Sequence, residues 1–385
     1  MSFLRLLVIV VLFTALNPTK GLADEHFIDT FWQDTRSKIQ GQNIPGFSMV
    51  YIERNRDPRY FSTGLTEKHG QPVDEQTLFR LASVSKTFTG GLTAKLVHKG
   101  QLDWQQPLQE LAPDFNFSSN NRTITLEHLL SQSSGLMRNA YDNLIEANYS
   151  LPRIIDELKD LKPLCQPGKC YTYQNALFGV LEYHFQQQDT SYGQVLEQEL
   201  LTPLNMYHTS VGSTPLVKAD DWAKPHVLTR AKNWKKTRIN ESYYRVSPAA
   251  GINTNSHDMG IWLKAMLGEY PDVIEPAIIE EITQPHIRTT RELRRRAWRK
   301  LLDNAHYGLG WRVYEIDGLQ VAYHSGWVKG YRAEVSFCSE LGIGVAMLMN
   351  AEANLMNELG ADFWSGYLAR QTHEVRENLQ LTAGK

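Results

Sequence analysis

Phe79-Arg80-Leu81-Ala82-Ser83-Val84-Ser85-Lys86-Thr87-Phe88-Thr89-Gly90 sets a serine and a lysine three residues apart where a helix should open. Phe88, Leu92 and Leu96 recur every fourth residue, Val84 leads them by one step, and Gly100 marks a stop, so a helix is expected from about Ser83 to His98. Positions i and i+3 share a helix face, which makes Ser83 and Lys86 neighbours, with Ser83 at the positive end of the helix dipole. A serine hydroxyl needs a base before it is a useful nucleophile, and a lysine kept neutral by burial or by nearby cations can be that base. An N-capping serine followed by a solvated lysine would show the same spacing, so the rest of the chain has to decide. Gly90-Gly91 costs the helix about 1 kcal/mol per glycine against alanine, and we expect close packing of another element there.

Strand patterns lie on both sides of this helix. Phe47 to Ile52 and Arg59 to Thr63 read as a hairpin after the Pro45-Gly46 turn. Near the other end, Gly310 to Ile316, Leu319 to Tyr323, Tyr331 to Cys338 and Gly342 to Met349 read as strands, with Asp317-Gly318 as a hairpin turn. In the third of these, Tyr331, Ala333, Val335 and Phe337 alternate with Arg332, Glu334 and Ser336, the period of a sheet. Helical spacing marks Phe27 to Gln40, Leu126 to Leu130, Ile154 to Leu161, Ala176 to Phe185 and about Met356 to Arg370. The expected class is α+β: an antiparallel sheet built from both termini and flanked by helices, with a mostly helical inserted lobe. The sheet lobe should take about 24–82 and 305–385, and the helical lobe about 83–304.

A chain of 385 residues with 42% hydrophobic and 21% charged residues can bury a large core. Its net charge of -2 gives no reason to expect a nucleic-acid partner. Arg5 followed by an apolar run to Phe13, then Gly21-Leu22-Ala23, reads as a signal peptide spanning 1–23, which places the mature protein, 24–385, in the periplasm or outside the cell. Cys165 and Cys170 bracket the turn-forming Gln166-Pro167-Gly168-Lys169 and are expected to form a disulfide, leaving Cys338 to pack in a strand. The basic cluster Arg291, Arg294, Arg295, Arg296, Arg299 and Lys300 reads as the solvated face of a helix, which could also meet an anionic envelope surface. Oligomeric state is not readable from these residues.

Two further triplets accompany Ser83 and Lys86. Tyr173-Gln174-Asn175 stands between a turn and a helix, and His324-Ser325-Gly326 ends a strand before Trp327. A phenol beside a lysine can carry protons, and an amide such as Asn175 can hold both substrate and lysine. Ser83-x-x-Lys86, Tyr173-x-Asn175 and His324-Ser325-Gly326, in that order, resemble the three motifs of the class C β-lactamase and penicillin-binding serine hydrolase family. Ile44-Pro45-Gly46, Leu129 to Leu136, Pro248 to Gly251 with Asp258-Met259, and Tyr307 to Trp311 extend that resemblance over roughly residues 27–370. Tyr141-Asp142-Asn143 has the same form as the second motif, but Tyr173 has the turn-then-helix setting that resembles the family's, and Tyr141 reads as a surface aromatic in a loop.

The resemblance implies an acyl-enzyme on Ser83, with Lys86 and Tyr173 sharing the base role. It implies substrate contacts from Asn175, His324, Ser325 and Gly326, and an oxyanion held by the backbone N–H groups of Ser83 and Trp327. No metal or other cofactor is implied, and no histidines stand at metal-ligand spacing. The substrate implied is a small molecule or peptide: a β-lactam or a D-alanine-type peptide amide, with a short-chain ester or a penicillin-binding sensor without turnover as alternatives. Arg80 and Ala82 stand where the class C signature usually has an acidic residue and a glycine. His324 stands where the β-lactamases usually carry lysine, so carboxylate-bearing substrates should be turned over better as pH falls toward about 6, as the imidazole gains charge.

Overall fold

The computed structural model describes residues 18–115 and 124–383, with side chains for 25–115 and 124–371. The apolar leader Met1 to Phe13 lies outside the described residues. Helix α1 spans Pro18–Gly41, so its backbone runs through Ala23, and it buries Ile28, Phe31, Thr35 and Ile39 at spacings of three and four residues.

Eight strands form one antiparallel sheet: β1 (Gly46–Glu53), β2 (Arg59–Gly64), β3 (Ile287–Arg288), β4 (Asn304–Tyr307), β5 (Arg312–Ile316), β6 (Leu319–Val328), β7 (Tyr331–Cys338) and β8 (Ile343–Met349). Their spatial order is β2-β1-β8-β7-β6-β5-β4-β3. The amino-terminal hairpin therefore joins the sheet through the last strand, with Phe47 opposite Met349 and Glu53 opposite Ile343. Strand β3 and three short segments, Phe79–Arg80, Ser210–Val211 and Ile252–Thr254, are strand within stretches read as helix or loop. Two or three residues of strand are too few to show a period.

Alternation along the long strands sends successive residues to two separate cores. Val50, Ile52, Val335, Phe337, Ala346 and Leu348 face the inserted helices. Phe47, Met49, Tyr51, Cys338, Val345 and Met347 face α1 and the carboxy-terminal helix, α5 (Leu355–Ala383). Glu334 and Ser336 of the polar set on β7 are buried too: Trp364 Nε1 of α5 donates to Ser336 Oγ at 2.9 Å, and Tyr323 OH donates to Glu334 Oε2 at 2.9 Å. Burial pushes the Glu334 carboxyl up to about 8. Cys338 keeps a free, buried thiol.

The basic cluster is not a helix face. Only Glu292–Arg294 forms a helical turn, and Arg295 turns inward to Glu292 Oε2 at 2.9 Å and Asn357 Oδ1 at 2.7 Å. A carboxylate buried at Glu292 draws guanidinium groups to it, and the local backbone follows that pairing rather than helical spacing.

Helix α2 (Ser85–His98) starts two residues later than the spacing suggests, because Ala82–Val84 forms a tighter 3-10 turn in front of it. Its whole first half is buried, and Phe88 stacks on Trp262 of α4 (Ser256–Met266) with ring centres 4.1 Å apart. The glycine pair has the expected close neighbours: a Cβ on Gly90 would run into the Leu309 carbonyl oxygen, and one on Gly91 would sit 3.0 Å from the Trp262 ring. Gly90→Ala should therefore destabilise the chain by about 1–3 kcal/mol through overpacking, against the gain of about 1 kcal/mol that helix propensity alone would give. Denaturant unfolding of the variant checks the sign.

Candidate active site

Three segments converge on Ser83. The first is the turn that carries it. Leu81 N–H donates to Ile252 O at 2.9 Å and Ser85 Oγ accepts from Ile252 N–H at 3.1 Å, so the short strand Ile252–Thr254 holds the turn from behind. Ala82 sits at φ +49°, a left-handed conformation strained for a residue with a Cβ. Arg80 takes no part at the nucleophile: it is buried, donates to Asn240 O at 2.5 Å, and lies over the Tyr244 ring at 3.9 Å.

The second segment is the loop before α3 (Gly179–Gln186). The Cys165–Cys170 disulfide closes its base. Gly168 N–H donates to Ser133 O and Thr172 N–H to Gln132 O, both at 2.8 Å. The Gln132 side chain grips the backbone of Gln174 from both ends, accepting from its N–H at 2.6 Å and donating to its carbonyl at 3.2 Å. Tyr173 and Asn175 flank that clamped residue.

The third segment is the far half of β6. Strand β5 pairs with β6 only as far as Tyr323, while β7 pairs with it to Val328. The hydrogen-bonding alternation of an antiparallel ladder directs the N–H groups of Leu319, Val321 and Tyr323 to β5, so those of Ser325 and Trp327 point to the same side, beyond the end of β5. The nucleophile turn fills that space. A Cβ on Gly326 would run into Leu81 O and come within 3.0 Å of Ser83 N. Only glycine lets the turn approach this closely. Trp327 itself is exposed.

Within this frame Tyr173 OH lies 2.8 Å from Ser83 Oγ, and Lys86 Nζ lies 3.4 Å from it. Lys86 Nζ also reaches Asn175 Oδ1 at 2.8 Å and Ala249 O at 2.9 Å, and its side chain is fully buried. Burial holds the Lys86 amine well below the usual lysine range, with Arg312 lowering it further and Asp142 opposing. Burial raises the Tyr173 phenol, against the pull of Arg312 and of its hydrogen bond to Ser83. Both shifts favour a protonated phenol beside an amine inclined to give up its proton. Once deprotonated, the amine has two N–H donors for Asn175 and Ala249 and a lone pair for Ser83.

Several residues of this site were not expected. Asp142 accepts from Asn175 Nδ2 at 3.0 Å, and burial pushes its carboxyl up to about 6. It comes from Tyr141-Asp142-Asn143, the triplet set aside as a rival; Tyr141 is a half-buried turn residue at φ +63°, packed against the core rather than lying on the surface. Both ends of the Asn175 amide are thus engaged within the protein. Arg312, first residue of β5, places its guanidinium 5.7 Å from the Tyr173 ring centre and 3.6 Å from Glu292. It directly follows the Tyr307 to Trp311 stretch, and only that adjacency hinted at it.

His324 corrects an expectation. It is fully buried, with Nε2 2.9 Å from Tyr307 OH and 3.4 Å from Arg312 Nη1, and Nδ1 3.0 Å from Ser325 O. Burial, Arg312 and Lys86 hold its pKa well below the ordinary histidine value. That direction runs against the acid-side gain in carboxylate binding expected of an imidazole that charges near pH 6.

With this geometry in place, comparison with known proteins gives the family. The β-lactamase family profile matches residues 26–363, and the chain belongs to that family. It is a serine hydrolase of the β-lactamase and DD-peptidase type. It is 26% identical over 354 residues to a β-lactamase of Escherichia coli, covering 81% of this chain and 85% of that one. It is 23% identical over 336 residues to an unguisins hydrolase of Aspergillus campestris, covering 83% of this chain but only 61% of the fungal protein's length. Among solved structures, an octameric penicillin-binding protein homologue from Pyrococcus abyssi superposes with a TM-score of 0.75 at 21% identity, covering 84% of this chain and 74% of that one.

The charge on Asp142 stabilises the ammonium form of Lys86, so removing it favours the neutral amine. Asp142→Asn should move the acid limb of the kcat/KM profile to lower pH while keeping an acceptor for Asn175. A profile measured from pH 4 to 9 on parent and variant checks the direction.

Proposed function

We propose that the protein is an exported hydrolase of class C type that forms an acyl-enzyme on Ser83 and cleaves a β-lactam or a D-alanine-type peptide amide. The observation that carries this reading is the placement of Ser83 Oγ between a protonated phenol at 2.8 Å and a desolvated amine at 3.4 Å. Ser83 Oγ attacks the substrate carbonyl as its proton passes to Lys86 Nζ. The oxyanion forms against the N–H groups of Ser83 and Trp327, a pair whose loss typically costs several kcal/mol of barrier. Tyr173 then gives its proton to the departing nitrogen and is refilled from Lys86. Water, deprotonated by the same pair, releases the acyl group. The base role thus falls on Lys86, with Tyr173 as the proton carrier, rather than being shared equally.

Arg312 replaces His324 as the source of positive charge. Glu292, drawn down to about 2, is one carboxylate between two guanidiniums, Arg295 at 2.9 Å and Arg312 at 3.6 Å. One positive charge is left over beside the Tyr173 ring, which favours substrates bearing a carboxylate. Export is supported by the apolar leader and by the Cys165–Cys170 bridge, which suits an oxidising compartment. The same two features support a periplasmic or secreted location. Among the described residues no helix is long and apolar enough to cross a membrane.

Ser83→Ala should abolish labelling by a fluorescent penicillin and turnover of nitrocefin, a D-Ala-D-Ala peptide and a nitrophenyl ester. Unchanged activity in the variant would overturn the assignment. Persistent labelling of the parent without turnover would assign a sensor, and turnover of the ester alone would assign an esterase.

Because burial holds His324 well below the ordinary histidine range and Arg312 stays charged, the preference for carboxylate-bearing over neutral substrates should be flat between about pH 6 and 7.5. Arg312→Gln should lower that preference about ten- to a hundredfold, the worth of one charged hydrogen bond. Paired kcat/KM measurements on acid and neutral-ester forms of one substrate read both effects.

A further inference from the structure

His208, His257 and Asp258 form a second constellation, at the surface, away from the groups that surround Ser83. We infer that these three residues bind one divalent transition ion, with zinc the ligand set's natural match. Asp258 Oδ1 lies 3.2 Å from His257 Nδ1 and 3.7 Å from His208 Nδ1. One ligand atom from each of the three lies within 4.8 Å of the others. Nitrogen and oxygen ligands sit about 2.0–2.1 Å from tetrahedral zinc, which puts them about 3.3 Å apart from one another. The separations to Asp258 are close to that value, so an ion can be seated by small rotations of the two exposed rings.

The carboxylate is built in for a cation. Asp258 is fully buried, and its Oδ2 is committed to Thr209 OH at 2.8 Å and His208 N–H at 3.1 Å. Its Oδ1 faces the two imidazoles. Among the described residues no lysine or arginine pairs with it, so a buried negative charge is aimed at two metal-ligating rings and at nothing else positive. That charge also offsets the positive end of α4, which would otherwise oppose a cation. The backbone and one ring of this set are held from behind. Asp258 N–H donates to Asn255 Oδ1 at 2.8 Å, His257 N–H donates to Glu75 O at 3.0 Å, and the His257 ring stacks on Tyr60 with centres 5.9 Å apart. His208 and His257 side chains are 56% and 39% exposed, which gives an ion a way in and leaves a fourth position to water. Two imidazoles and one carboxylate suit zinc, with nickel, cobalt and copper as competitors.

Spacing along the chain hid this cluster, since His208 lies 49 and 50 residues before its partners. The ion's place in the fold makes it a clamp rather than a reagent. Thr209 Oγ1 meets Thr254 Oγ1 at 2.7 Å, and the adjoining Ser210–Val211 pairs with Ile252–Thr254, the strand that backs the Ser83 turn. Binding would tie the 202–209 loop and the start of α4 to that strand.

The test uses the purified chain, freed of metal by a chelator and titrated with Zn2+ in a calorimeter and with Co2+ in a visible spectrophotometer. The expected result is one equivalent of Zn2+, a rise in Tm on binding, and an intense low-symmetry Co2+ band. His208→Ala and His257→Ala should each weaken Zn2+ binding more than about a hundredfold, beyond the ten- to hundredfold that loss of a supporting contact costs, and abolish the Co2+ band. Both variants should still be acylated by fluorescent penicillin, which shows that they fold and separates this outcome from the proposed reaction. No heat of binding at about 100 μM Zn2+, a concentration far above the affinity of structural zinc sites, or affinity unchanged in both variants, would overturn the inference.

Discussion

A lysine amine with no access to water is the constraint on which the rest of the site depends. Burial favours loss of the Lys86 proton, and a buried amine needs its N–H groups paired in either form. Asn175 and Ala249 meet that need from points 89 and 163 residues further along the chain. Each is delivered by a segment with its own fixings. The disulfide and the Gln132 clamp position the Tyr173 loop, and the contacts of Ile252 with Leu81 and Ser85 tie the Ala249 segment to the nucleophile turn. The lone pair left on Lys86 is therefore a product of the whole fold, although the Ser-x-x-Lys spacing is local.

The surrounding charges are arranged with the same economy. Asp142 pulls the lysine toward its charged form and Arg312 pushes it away, so the two set a balance around an amine that burial draws well below the usual lysine range. Burial, reinforced by Arg312, holds His324 well below the ordinary histidine range, where it serves as a hydrogen-bonding partner of Tyr307. The positive charge beside it lies on the Arg312 guanidinium.

Much of this was legible in the residues themselves. The β7 alternation, the Asp317-Gly318 turn and the Leu126–Leu130 helix could be read at the residue level because period and turn chemistry are local. The Ser83, Tyr173 and His324 triplets are likewise short enough to read. What escaped was set by distance and burial. The inward turn of Arg295 depends on Glu292 being buried, which no spacing shows. Asp142 was visible only as part of a competing triplet, because its value lies in a contact with Asn175 and not in its neighbours. His324 has the same letter in the sequence whether exposed or buried, and its lowered pKa follows first from burial and then from Arg312, placed beside it by strand pairing.

The sheet joins β1 to β8, so the first strand waits for a partner about three hundred residues later in the chain, Phe47 meeting Met349. Long-range pairing of this kind is slow to form, since loop-closure entropy must be met before the contacts repay it. A chain emerging from synthesis, or cut short before β8, has no partner for its amino-terminal hairpin and no covered face for β7. Since Gly326 of β6 must close on the turn before Ser83, seating of the nucleophile is tied to the same late event. The chain thus completes its reactive centre only when its last strands are in place.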